Sequence, residues 1–327
     1  MNGLPRSSNS GGVPPECKLA PLCKVCVFMF LFLSGFGVSS VLERNRNRKN
    51  PWRISLRFVW KLLFGFWVIY LLFVPWQPLF GHQPYTSWFD MLKDLIGAQY
   101  LCGYGWLNTN TMNKTWWYLS LAILCYIFTP IFDWLLKKSK WLTALGMSAV
   151  LLGTSVFIIP KDINYLIIYI IGMMFQKYRL FDFFECYLEK SSFLLVSVIS
   201  FGFVAVTALA EFWKGDFAVF VPMAMSLIIF SFLCLSRIKY LSTALAFIGK
   251  HSANIFLFHT FIYSYDFQKI IYAPKLSVLV YLFLLVVCLG ISMLIEKIKE
   301  WTHLNRLEKF ISAKIEGKPK EKTTVLV

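Results

Sequence analysis

The chain is short of charge, and shortest of acid. Of its 327 residues 15% are charged, with 17 Asp and Glu against 33 Lys and Arg, and only four are His. Soluble domains carry about a quarter charged residues; this chain is 57% hydrophobic with a mean hydropathy of +0.61. That balance excludes an ordinary water-facing surface. Every acid lies in a loop, in the tail or at the end of an apolar run: the deepest, Asp133, sits just before Trp134 and a Lys cluster. Ion-coupled transporters need an intramembrane carboxylate or broken, ion-coordinating helices, so this scarcity argues against that class. Cys23 and Cys26 form a CxxC, but no second pair or His follows at metal-ligand spacing. The eight cysteines (17, 23, 26, 102, 125, 186, 234, 288) therefore read as small apolar filler, and no metal is expected. No cleavage site follows the first apolar run, and there is no internal repeat or low-complexity domain.

What is present is a series of apolar runs. Nine are long enough to read as spans, near 25–42, 58–76, 116–135, 141–159, 163–176, 191–211, 217–236, 244–264 and 277–295. The expected fold class is an all-α, polytopic transmembrane bundle of about nine spans. The fifth run is short and follows the fourth after only Pro160, Lys161 and Asp162. Lysines 137, 138 and 140 precede the pair and Lys177 and Arg179 follow it, so two crossings are required between two basic flanks.

The stretch 25–61 sets the topology. Eighteen apolar residues end at Leu42, and ERNRNRKNPWRISLRFVWK then holds seven Lys and Arg against one acid. Such a block is retained in the cytoplasm. The segments 77–115, 211–216 and 265–275 then fall outside, and the loop of Arg237 and Lys239 inside. Nine spans put the N-terminus outside and the C-terminus in the cytoplasm. The expected organisation is an external lead-in at 1–24, a transmembrane domain at 25–295 and a basic tail at 296–327, amphipathic at first and expected to fray. Residues 87–97 have an amphipathic period suited to the membrane surface. Asn113-Lys114-Thr115 is a glycosylation sequon on the external side. The net charge of +16 belongs to the short inner loops, not to a nucleic-acid surface.

Three groups of residues stand out. His259 lies deep in the eighth run, toward its outer half. It reads either as a general base or as a histidine hydrogen-bonded across helices. His82, His251 and His303 read as solvated. Arg53 and Arg57 share one helix face just before the second span. They suit either a phosphate-bearing ligand, gripped by two guanidiniums, or anionic lipid heads and simple topology. Trp116, Trp117 and Tyr118 open the third span as an interfacial belt or a sugar-stacking surface.

Five stretches together resemble acyltransferase family 3, the multi-span membrane O-acyltransferases. FLFLSGFGVSS (30–40) is similar to the family's second span, and RISLRFVWKLL (53–63) to its R-x-x-R-type segment, without the usual Pro. TWWYLSLAILCYIFTPIF (115–132) matches at Trp117, Leu119 and Pro130. YIIGMMFQKYRLF (169–181) resembles the L-G-x-x-x-A-K-x-x-L-F element. IGKHSANIFLFH (248–259) keeps Gly249, Ser252 and His259. The resemblance covers residues 25–265 and implies transfer of an acyl group, typically acetyl, from cytoplasmic acyl-CoA to a hydroxyl of a sugar or envelope glycan. It implies a plasma-membrane location and no tightly bound cofactor, with acyl-CoA (acetyl-CoA) as co-substrate. Arg53 and Arg57 would contact CoA phosphates, and Trp117, Ser252 and His259 would line the cavity. The resemblance leaves the expectation that the family's usual first span, with an Arg and a His thought to be the base, is missing, through either a start set too far downstream or a true truncation. A truncated, non-catalytic relative and a lipid-linked sugar transporter or flippase are the competing expectations.

Overall fold

The computed structural model describes residues 24–46, 48–80, 85–99, 111–139, 143, 146–147, 163–188, 192–214 and 219–317. Among these every regular element is helical. Six helices are long and apolar enough to cross a membrane, at Val25–Arg44, Pro51–Leu79, Lys114–Lys138, Phe193–Phe212, Phe220–Arg237 and Ser277–Trp301. They coincide with six of the nine expected spans. The expected span 141–159 lies almost wholly outside the described residues. Those at 163–176 and 244–264 are helical, but neither counts among the six.

In chain order the helices are α1 (Val25–Arg44), α2 (Pro51–Phe73), α3 (Trp88–Leu95), α4 (Trp117–Lys138), α5 (Ile163–Lys177) and α6 (Leu180–Leu188). Then come α7 (Phe193–Lys214), α8 (Phe220–Leu233), α9 (Lys239–Thr260), α10 (Gln268–Ile271), α11 (Ser277–Trp301) and α12 (Leu304–Glu316). Local chemistry sets several starts. The Asn50 side chain accepts from Trp52 N–H with Pro51 in the first turn, a natural opening for α2. Ser87 caps α3 and Asn113 caps the short turn before α4 in the same way.

Two apolar cores hold the bundle. One joins α1, α4, α5 and α8 around Phe28, Phe32, Cys125, Tyr169 and Phe220. The other joins α2, the start of α4, α9 and α11 around Phe66, Trp116, Leu119, Phe258 and Cys288. Lipid is as apolar as these side chains, so close backbone approach matters more than burial from water. Glycine supplies it where α1 crosses α5. A β-carbon on Gly35 would run into the Tyr169 carbonyl, and one on Gly172 into that of Phe32. Ser39 Oγ donates to the Met173 carbonyl beside this crossing. α7, by contrast, exposes Phe193, Leu194, Val198, Phe201 and Val206, as a lipid-facing helix should.

The surface helix expected at 87–97 is present as α3, and its polarity is inside-out. Asp90, Lys93 and Asp94 are buried, while Trp88, Phe89, Met91 and Leu92 are exposed. That arrangement suits a helix resting its apolar face on lipid.

The basic tail departs from expectation. The boundary placed at 295 falls inside α11, which runs to Trp301. The chain then reverses at Thr302–His303, with His303 in the left-handed region at φ +56°, and α12 folds back onto α2. Residues 304–316 are therefore docked helix, not frayed tail. The reason is long-range: Glu316 finds Lys49 and Arg57, partners that no local pattern exposes.

Candidate functional site

The basic end of the bundle carries a cavity of about 510 Å³ between α1, α2 and α12. Arg57 and Lys61 reach it from α2 and Lys309 from α12, with Glu308 and Glu316 opposite. Arg53, Arg57 and Lys61 recur every fourth residue, so they form one stripe on α2. Lys61 was legible in that spacing and extends the pair read from sequence. Glu316 bridges the stripe to Lys49: Oε1 accepts from Arg57 and Oε2 from Lys49, each at 3.0 Å. Gly317, at φ +73°, lies so close to Arg53 that a β-carbon there would meet Arg53 Nη1.

A second, apolar groove of about 570 Å³ runs into the bundle between α1, α2, α4 and α9. It lies at the seam between the two cores. Phe30 and Leu33 line it from α1, Leu62 from α2, Tyr118 and Tyr126 from α4, and Ser252 and Phe256 from α9. Ser34 of α1 adds a hydroxyl to the same lining. Gly37 and Phe58 line both the groove and the basic cavity. The two spaces therefore adjoin, charged at the membrane end and apolar within.

Ser252 lines the groove, and its hydroxyl donates to the Gly249 carbonyl at 2.7 Å. Trp117 packs elsewhere, its ring 5.2 Å from Tyr165; Tyr118 is the aromatic on the groove wall. His259 sits three residues past the groove-lining Phe256, with the two rings 6.0 Å apart. Its Nδ1 lies 3.0 Å from the carbonyls of both Ile255 and Phe256. Carbonyls only accept, so Nδ1 carries the proton and the neutral ring keeps its lone pair on Nε2. The bonds it makes are within its own helix, not across helices as one of the two sequence readings expected.

The segment before α4 fixes α9 near His259. Trp116 Nε1 donates to the Leu257 carbonyl at 2.9 Å and Asn113 Nδ2 to the same oxygen at 3.3 Å. In a regular helix that carbonyl would accept from Phe261 N–H, which here turns to Phe258 and His259. A π-helical turn follows at Phe261–Asp266. Asn113 is fully buried, so the sequon presents no accessible acceptor. Behind it Asp94 Oδ2 accepts from Tyr85, Thr111 and the Met112 amide at 3.0–3.1 Å. Burial pushes the Asp94 carboxyl above its ordinary range despite those donors.

His251 corrects a sequence expectation. It is buried, not solvated, and Nδ1 lies 2.9 Å from Ser292 Oγ. Asn254 links the same hydroxyl to Glu296, which also accepts from Lys299 at 2.8 Å. This network ties α9 to α11. Only a helix pairing, not the sequence, brings its members together. No group of His, Cys, Asp or Glu among the described residues is arranged to hold a metal.

The model of a family described as an acyltransferase domain matches residues 5–297. No curated protein and no solved structure matches the chain.

Proposed function

The chain belongs to acyltransferase family 3, and from that premise we propose that it moves an acyl group, typically acetyl, from acyl-CoA to a hydroxyl of a sugar or cell-envelope glycan. The observation that carries this reading is the adjacency of the basic cavity and the apolar groove through Gly37 and Phe58. CoA is a polyanion with a thioester at the end of a long arm. Its phosphates suit the stripe of Arg53, Arg57 and Lys61, where the two guanidiniums bind phosphate in forks and the Lys61 ammonium adds a point charge. Its acyl end suits the groove. The basic end is then the cytoplasmic one, in the plasma membrane, and anionic lipid would surround it.

In the reaction the acceptor hydroxyl oxygen attacks the thioester carbonyl carbon. The C–S bond breaks, the acyl ester forms, and the hydroxyl proton ends on the CoA thiol. His259 Nε2, with its lone pair directed away from the helix carbonyls, is the group we assign to take that proton first. Phe256 separates it from the groove and would have to move aside. Ser252, Tyr118 and Tyr126 supply hydroxyls along the wall that can orient a sugar, and holding both substrates in a water-poor groove contributes through proximity.

The test uses membranes from cells that express the chain, incubated with acetyl-CoA labelled in its acyl group. Alkali-labile label in the glycan fraction is expected, with none in the His259→Ala variant at equal protein and melting temperature. Label at the level of control membranes for the wild-type chain would remove the enzyme reading. Full activity of His259→Ala would remove only the assignment of the base.

A further inference from the structure

The anion already seated in the basic cavity is a residue of the chain itself. Glu316 is at the end of α12, one-tenth exposed, with its two oxygens divided between Lys49 and Arg57. Gly317 lies beside the exposed Arg53, and Lys309 and Ser312 of the same helix line the cavity. We infer that α12 is a displaceable plug, in which Glu316 holds the phosphate-binding arginine of the donor site until the donor drives it out. The inference rests on the reading of this cavity as the donor site and adds its regulation.

Three observations point to a plug and not to a fixed strut. First, α12 is amphipathic and short, and its far side is open: Leu307 and Phe310 are exposed, so little apolar surface ties it down. Second, the cations that hold it are partly open to solvent, with Arg57 26% and Lys49 19% exposed, so salt and a competing anion can reach them. Third, the helix hangs from a two-residue reversal at Thr302–His303, a short hinge at its other end. One carboxylate presents a single charge to Lys49 and Arg57. CoA presents several phosphate charges and can engage Arg53, Arg57 and Lys61 together, so it competes on favourable terms. Release of α12 also removes two acids, Glu308 and Glu316, against one base, Lys309, from the cavity wall, which lowers the net repulsion of the incoming anion.

The experiment titrates free CoA into the purified full-length chain in detergent and compares wild type with Glu316→Gln, which keeps the shape and loses the charge. About tenfold tighter binding by Glu316→Gln is expected. In parallel, Ser312→Cys, with Glu316 intact, is treated with a membrane-impermeant maleimide and labelling at residue 312 is read by mass spectrometry. CoA should raise the labelling rate several-fold, because the buried Ser312 is uncovered when the helix leaves. This second measurement stands even if Glu316→Gln folds poorly. If wild type binds CoA while Glu316→Gln binds it no more tightly and labelling at 312 is unmoved, α12 is no plug, yet the donor site remains. If neither protein binds CoA although both melt normally, the donor site falls and the plug with it.

Discussion

Arg57 and Glu316, 259 residues apart in the chain, meet at 3.0 Å on the basic end of the bundle. The pair shows that Arg57 faces a cavity and binds a carboxylate there, which an arginine placed only to orient the chain need not do. If Arg57 also holds a donor phosphate, Arg57→Ala should raise KM for acyl-CoA about tenfold or more. A hydrogen bond to a charged group contributes about 1.5–3 kcal/mol. The phosphate is remote from the reacting carbonyl, so kcat should change little. Arg57→Lys should fall between, because it keeps charge and loses the fork. Steady-state kinetics check both. A drop in kcat with KM unchanged would put Arg57 in the chemistry instead.

Much of the fold was legible. Apolar length alone marks the six spans, and of the pair Arg53 and Arg57 it is Arg57 that lines the cavity, while Arg53 is exposed. The helix period of 87–97 marks α3. What sequence did not disclose is pairing across distance. Nothing near Glu316 says that it faces Arg57, and nothing near His251 says that Ser292 covers it. Trp117 and Tyr118 are neighbours in one aromatic cluster, and only the rotation of α4 decides that Tyr118 faces the groove. Local patterns give faces of helices; which face meets which is a property of the bundle.

The clamp on Leu257 has a measurable signature. Trp116→Phe removes one donor to that carbonyl and Asn113→Ala removes the other together with the cap on Thr115. Each single change leaves the carbonyl one of these side-chain donors, so each should cost about 1–2 kcal/mol. The double variant removes both, and its cost should exceed the sum. Thermal unfolding of the four proteins tests this. Strict additivity would mean the two donors do not share the load.

Asp94 should give the fold an acid-side pH dependence. Its ordinary value is 3.8 and burial raises it in the folded chain, so the folded state holds this proton more tightly than the unfolded state does. The stability this contributes is complete below about 3.8 and is lost as pH rises through the raised value. Asp94→Asn removes the titration. Relative to that variant, wild type should lose melting temperature as pH climbs out of the acid range. A constant difference across pH would contradict the raised value.

Two glycines of α1, two residues apart, should respond in opposite ways. Gly35 lies against the Tyr169 carbonyl, so Gly35→Leu must push α5 away and should cost well over 1–3 kcal/mol, the usual range for overpacking. Gly37 lines both the basic cavity and the groove, and a β-carbon there meets nothing within 4 Å. Gly37→Leu should therefore leave the melting temperature unchanged or raise it slightly, since Leu is the better helix former by roughly 0.5–1 kcal/mol. Its side chain would instead occupy the junction of the two spaces. CoA binding at the basic end should persist, because Arg57 and Lys61 are untouched, while transfer should fall steeply, because the thioester no longer reaches the groove. Measuring binding and transfer on the same preparation separates these effects. Loss of both together would mean that donor binding itself needs the space at Gly37, and not only the arginine and lysine of α2. Full transfer in Gly37→Leu would show that the groove is not where the acyl group is received.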